Sequence, residues 1–216
     1  MSDARTEIFS RVHKALGRES LSSQQRNSLD ERMASAPDLI RPQFSDDLVE
    51  HFANQLQSVA ASFVRVSNTE GIIPAITEHL DSLGLNHKLV VAPSLKDLQW
   101  PKNFEIHSGR ARDADLASVT GCFVAVAETG SVVLLSSPES PTTLNFLPDY
   151  HIAIVKSSQL VRHMEDVWTE FRQLPGGIPR TINLISGPSK TADVEQTLQV
   201  GAHGPRSFHV VFVEQS

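Results

Sequence analysis

Residues 121–155, GCFVAVAETGSVVLLSSPESPTTLNFLPDYHIAIV, hold three of the densest apolar runs in the chain. Phe123 to Ala127 is short, partly β-branched and uncharged, which is the pattern of a buried strand. Glu128-Thr129-Gly130 interrupts it with a glycine suited to positive φ. Ser131 to Leu135 then resumes the run, so the pair reads as an antiparallel hairpin with a three-residue connection. A third run, His151 to Val155, follows a turn at Leu147-Pro148-Asp149-Tyr150. Polar residues wedged between core strands fall at strand ends, where open α/β sheets place their ligand crevices. Glu128, with Thr129 and Gly130 beside it, and the Asp149/His151 pair are therefore the first candidates for chemistry.

Outward from this stretch, helical and strand patterns alternate. Upstream, Leu48, Val49, Phe52, Leu56 and Val59 mark one face of a helix over 46–61, and Phe63–Val66 reads as a strand. A helix over 71–83 and a strand over 88–92 complete a β-α-β succession, the mark of a parallel crossover unit. A short helix near Leu95–Leu98, a strand at Phe104–His107 and a polar helix or turn lead into Val119. Downstream, the spacing predicts a helix from Ser158 to Leu174, then strands at Thr181–Ile185 and Phe208–Val213. The fold class is α/β, with an open, mostly parallel sheet, helices on both faces and one antiparallel hairpin. Residues 1–42 read as an N-terminal helical arm, with Ile8, Val12, Ala15 and Leu16 at helical spacing and Gly17 as a stop. The arm cannot form a core of its own, and its functional alternative is docking on a partner or a second subunit. Residues 43–216 read as the α/β domain.

Composition narrows the function. The formal charge of −6 across 216 residues argues against a nucleic-acid partner, and the cations form no basic stripe. The single cysteine, Cys122, excludes an intrachain disulfide, and with it a zinc or iron–sulfur site built from several cysteines of this chain. Its plainest role is a small core residue. No His-x-His or His-Glu-x-x-His pattern suggests a metal. The N-terminus lacks the apolar run of a signal peptide and no apolar stretch approaches membrane-spanning length, so a cytoplasmic location without membrane insertion is expected.

A second polar cluster follows Ile185. Ser186-Gly187-Pro188-Ser189-Lys190-Thr191 leads toward Asp193 and Glu195 and reads as a strand running through a Gly-Pro turn into a helix start. Unpaired N–H groups there, with Lys190, would suit an anion; an ordinary capped helix explains the same residues. The glycines of a P-loop are missing. Gly201-Ala202-His203-Gly204-Pro205-Arg206 forms a rigid turn before the last strand. His203 could donate a hydrogen bond or act as a general acid, and Arg206 could grip a carboxylate in a bidentate fork. Glu128 would then be the general base or nucleophile, its alternative being a turn glutamate capping a loop.

Three segments together, Ala127–Ser131, Leu147–His151 and Gly187–Glu195 continuing through Gly201–Arg206, resemble the LUD-domain family, in its lactate utilization protein C (LutC/YkgG) branch. The likeness covers roughly residues 45–216; the loop Ser136–Pro141 is less glycine-rich than the family pattern. The resemblance implies a fold of the NagB/RpiA/CoA-transferase kind and a part in oxidising L-lactate to pyruvate with two iron–sulfur partner proteins. With one cysteine, this chain would leave the clusters to those partners and carry no cofactor itself. The expected ligand is a small anion held between Glu128, Asp149, Ser189 and His203. Two other roles fit the same residues: a stand-alone CoA-transferase-like or ligase-like enzyme, and a non-catalytic assembly factor for the iron–sulfur partners.

Overall fold

The computed structural model describes residues 3–17, 20–34, 40–175, 177, 179–192, 198–201 and 203–215. The chain divides into two units, Met1–Arg41 and Pro42–Ser216. In the first, helix α1 (Ala4–Leu16) begins at Asp3, whose carboxylate accepts the Arg5 N–H, and ends at Gly17 in the left-handed conformation. Helix α2 (Ser23–Ala34) follows, and neither helix has a buried residue.

The second unit carries six parallel strands: β1 (Ser62–Asn68), β2 (Lys88–Val91), β3 (Glu105–Ser108), β4 (Ala117–Thr120), β7 (Tyr150–Lys156) and β12 (Ser207–Gln215). Their order is β1-β12-β7-β4-β2-β3, and every neighbouring pair runs parallel. A run such as Val210-Val211-Phe212-Val213 is buried on both faces, which explains its unbroken hydrophobicity. One face, with Ile152, Ile154, Val211 and Val213, is covered by helix α4 (Ile72–Ser82) through Ile72, Ile76 and Leu80. The other, with Ala153, Val155, Phe208 and Phe212, meets Phe52 and Leu56 of helix α3 (Leu48–Ser58).

The expected hairpin, β5 (Val124–Val126) and β6 (Ser131–Leu135), is antiparallel, with four connecting residues rather than three. It belongs to a second sheet, ordered β8-β5-β6-β9, with β8 (Leu160–Val161) and β9 (Ile182–Ile185). Ala125, Val132 and Leu134 of this sheet share the core containing α3. Its other face, with Val124, Val126 and Val133, packs on Val167 of helix α6 (Met164–Arg172). Helices thus lie on both faces of the large sheet, and a second sheet shares one of those faces.

Two local expectations are corrected. The helix expected from Ser158 starts only at Met164, because Leu160 and Val161 pair with Ala125 and Val126 as a strand. The helix start expected at Ser189 is instead strand β10 (Lys190–Ala192), antiparallel to β11 (Leu198–Val200). Cross-strand pairing satisfies that backbone, so no helix dipole is available to an anion at Ser189. Residues 193–197, including Asp193 and Glu195, lie outside the described residues. Among the described residues no helix is long and apolar enough to cross a membrane.

Candidate functional site

Alternation along β7 sends His151 to the same side as Ala153 and Val155, toward the second sheet. There its ring is 1% exposed. Nε2 lies 2.8 Å from the Thr120 hydroxyl on β4, and the ring centroid is 5.2 Å from that of Phe208. Burial pushes its pKa down to about 3, so the imidazole is neutral. Thr120 finds no other side-chain partner among the described residues. Donating its hydroxyl hydrogen to Nε2 avoids burying that hydrogen without an acceptor, which places the ring hydrogen on Nδ1. Nδ1 has no hydrogen-bond partner among the described residues.

Nδ1 is not alone. Helix α5 (Thr143–Phe146) is tied to β4 by the Ser118 hydroxyl, which donates to the Leu144 carbonyl at 2.7 Å. This brings Asn145, 2% exposed, to the wall that His151 occupies, and its Oδ1 also lacks a partner. The two side chains line one cavity of about 240 Å³. Ser186, Gly187 and Ser189, from the chain leaving β9, form a second wall, and His203, Gly204 and Pro205 a third. Two backbone bonds fasten these walls: Ser189 N–H to the Pro205 carbonyl at 2.7 Å, and Gly201 N–H to the Ser189 carbonyl at 3.0 Å.

Six of the residues selected from sequence therefore converge: His151, Ser186, Gly187, Ser189, His203 and Gly204. The others do not line this cavity. The Glu128 carboxylate accepts the Met164 N–H at 3.1 Å and lies 3.2 Å from His163 Nδ1, capping the start of α6. The structure thus places Glu128 at a helix start, away from the cavity walls that include His203. Thr129 joins a hydroxyl chain through Ser131, at 2.7 Å, to Ser186 at 2.5 Å. Gly130 sits against α3, where a Cβ would come within 2.8 Å of the Leu56 nitrogen. Lys190 donates to the Val59 carbonyl at 2.7 Å, and Arg206 pairs with Asp149 at 3.3 Å. Thr191 lies in β10, opposite Gln199.

Among the described residues no ammonium or guanidinium lines the cavity. It lies at strand ends, the amino ends of β7 and β12 and the carboxyl end of β9. Sequence reading passed over Asn145 and Thr120. The available signal for Asn145 was a lone amide inside the apolar run Leu144-Asn145-Phe146-Leu147. Among the described residues no group of three metal-ligating side chains occurs. Cys122 is partly buried beside Gln159, and desolvation pushes its thiol up to about 12, which makes it a poor nucleophile.

The LUD-domain family model matches residues 108–213, a span that includes every wall of the cavity. A lactate utilization protein C from Geobacillus thermodenitrificans is 44% identical over 191 residues, covering 78% of this chain and 79% of that protein. Another, from Shouchella clausii, is 44% identical over 105 residues, covering 47% and 46%. An uncharacterized protein of Neisseria meningitidis is 37% identical over 97 residues, covering 45% and 42%. In these last two alignments the chain spans under half the length of its relative. Among solved structures, a DUF162 family protein from Deinococcus radiodurans superposes with a TM-score of 0.59 at 22% identity, covering 80% of this chain and 99% of that one. That likeness establishes the shared fold.

Proposed function

The chain belongs to the LUD-domain family, and from that premise we propose that it serves lactate utilization by holding L-lactate during its oxidation to pyruvate. The observation carrying this reading is the pair of buried polar atoms, His151 Nδ1 and Asn145 Oδ1, lining one small cavity without protein partners. A buried polar group left unsatisfied costs about 1–3 kcal/mol, so a guest that supplies both hydrogen bonds is strongly favoured. The hydroxyl of a small hydroxy acid does so, donating to Oδ1 and accepting from Nδ1–H. Its carboxylate then faces the hydroxyls of Ser186 and Ser189 and the imidazole of His203.

Oxidation of lactate releases two electrons and two protons. In this reading the electrons pass to iron–sulfur partner proteins of the same system and the protons to solvent, since this chain's single cysteine is too few thiolates for a cluster. The test is a strain lacking the gene, complemented with either the wild-type or the Asn145→Ala chain. Growth on L-lactate is expected to return only with the wild type, while growth on pyruvate is normal with both. Full growth on lactate with Asn145→Ala would remove the cavity from the function.

A further inference from the structure

A second cleft lies just past the carboxyl end of edge strand β3, one strand out from the place where sheet topology leads one to expect a ligand. In the large sheet β2 leads outward to β3, whereas β4 leads the opposite way to β7, so the order reverses between β2 and β4. Open α/β sheets bind ligands beyond the carboxyl ends of strands near such a reversal. One strand beyond that reversal, β3 runs out through Gly109 into Arg110, and the segment 136–141 crosses nearby, the Ser94 N–H donating to the Glu139 carbonyl at 3.4 Å. A cleft of about 710 Å³ opens beside that segment, within the range of metabolite sites.

The lining of this cleft is rich in donors. Arg110 and Arg180 both contribute to it, and neither guanidinium has a hydrogen-bond or ion-pair partner among the described residues. Ser136 Oγ accepts the Thr181 N–H at 2.9 Å and Thr143 Oγ1 accepts the Ala111 N–H at 3.1 Å. Both hydroxyl hydrogens therefore remain to be donated. Among the described residues no aspartate or glutamate lines the cleft, although the chain carries 25 of them against 19 lysines and arginines. Elsewhere Arg65, Arg162 and Arg206 each pair with a carboxylate. Pro138, Pro141, Pro175 and Pro179 supply rigid walls without N–H groups.

We propose that this cleft binds a phosphorylated metabolite, its phosphoryl group between Arg110 and Arg180 and its organic part against the prolines. Two guanidinium forks and two hydroxyl donors match the charge and the acceptor oxygens of a phosphoryl dianion. The site is separate from the His151 cavity: Arg180 precedes β9, whereas Ser186 follows it.

Isothermal titration of the full chain with inorganic pyrophosphate and with AMP tests the proposal. Saturable binding of both is expected, weakened about tenfold or more by Arg110→Ala and by Arg180→Ala. Arg172→Ala, on the exposed end of α6, should leave it unchanged. Because both cleft arginines are exposed, the variants should keep the wild-type thermal midpoint without ligand, which separates lost binding from lost folding. Failure of both probes to bind by about 10 mM, or equal binding by wild type and the double variant, would overturn the assignment.

Discussion

The Glu128 corner and the His151 cavity begin from the same sequence feature, a polar residue set against an apolar strand, and end in opposite roles. At the corner the polar side chains bond to other parts of the protein. Glu128 caps α6, Thr129 bonds to Ser131, and Gly130 lets the turn approach α3 closely. In the cavity, His151 and Asn145 are more deeply buried, yet each keeps one atom without a partner. A buried polar residue therefore points to a ligand only when the fold leaves part of it unsatisfied. On the reading proposed above, the corner serves stability and the cavity serves binding.

The largest effect that could break this contrast is functional. Asn145→Ala should abolish growth on L-lactate while changing the urea-unfolding free energy by no more than about 1 kcal/mol, since the lost Oδ1 makes no protein hydrogen bond. A large loss of stability would place Asn145 with the structural corner instead. Next comes Gly130→Ala, where φ is +63° and a Cβ would meet the Leu56 nitrogen at 2.8 Å. Strain and overpacking together should cost about 3 kcal/mol, read from the same unfolding curves. A neutral outcome would show that the corner yields easily.

The pH dependence sharpens the picture of the buried imidazoles. Desolvation lowers His151 and His209 from 6.5 to about 3, with His79, stacked 3.8 Å from His209, adding to the latter shift. Below pH 6.5 the unfolded chain takes up protons that these folded residues refuse. Stability is therefore fully present above that pH and is lost as pH falls toward 3. Near pH 5 each histidine contributes a slope of about 1.4 kcal/mol per pH unit. Replacing either with a residue that does not titrate should flatten the curve by that amount in equilibrium unfolding across pH 4–6. The smallest effect is expected at the corner. Glu128→Gln keeps an acceptor for the Met164 N–H and should cost under about 1 kcal/mol, with growth on lactate retained. Loss of growth at wild-type stability would return Glu128 to the chemistry.

Much of the fold was legible in one dimension. Alternating helical and strand periods gave the α/β class, and the charge-free runs at Phe123, Ser131 and His151 gave three strands. The same patterns misplaced Leu160 and Val161, whose two apolar side chains fit a helix face as well as a strand paired with β5. They also misread Ser189–Ala192, where capping residues precede a strand paired with a segment nearly ten residues away. In both places pairing with another segment, distant for β8 and close by for β10, decided the backbone.

From its residues alone the chain is specified as acidic, with a single cysteine and a buried, mostly parallel sheet, because burial, charge and period are properties of local sequence. Family membership was legible as well, since it rests on short motifs in order. Which of those motifs meet was settled only in three dimensions. The order β1-β12-β7-β4-β2-β3 sets the start of β7 beside that of β12, and the Ser118 bond to α5 brings in Asn145. Whether a polar atom is spent or spare depends on neighbours far along the chain, and sequence spacing carries no record of them.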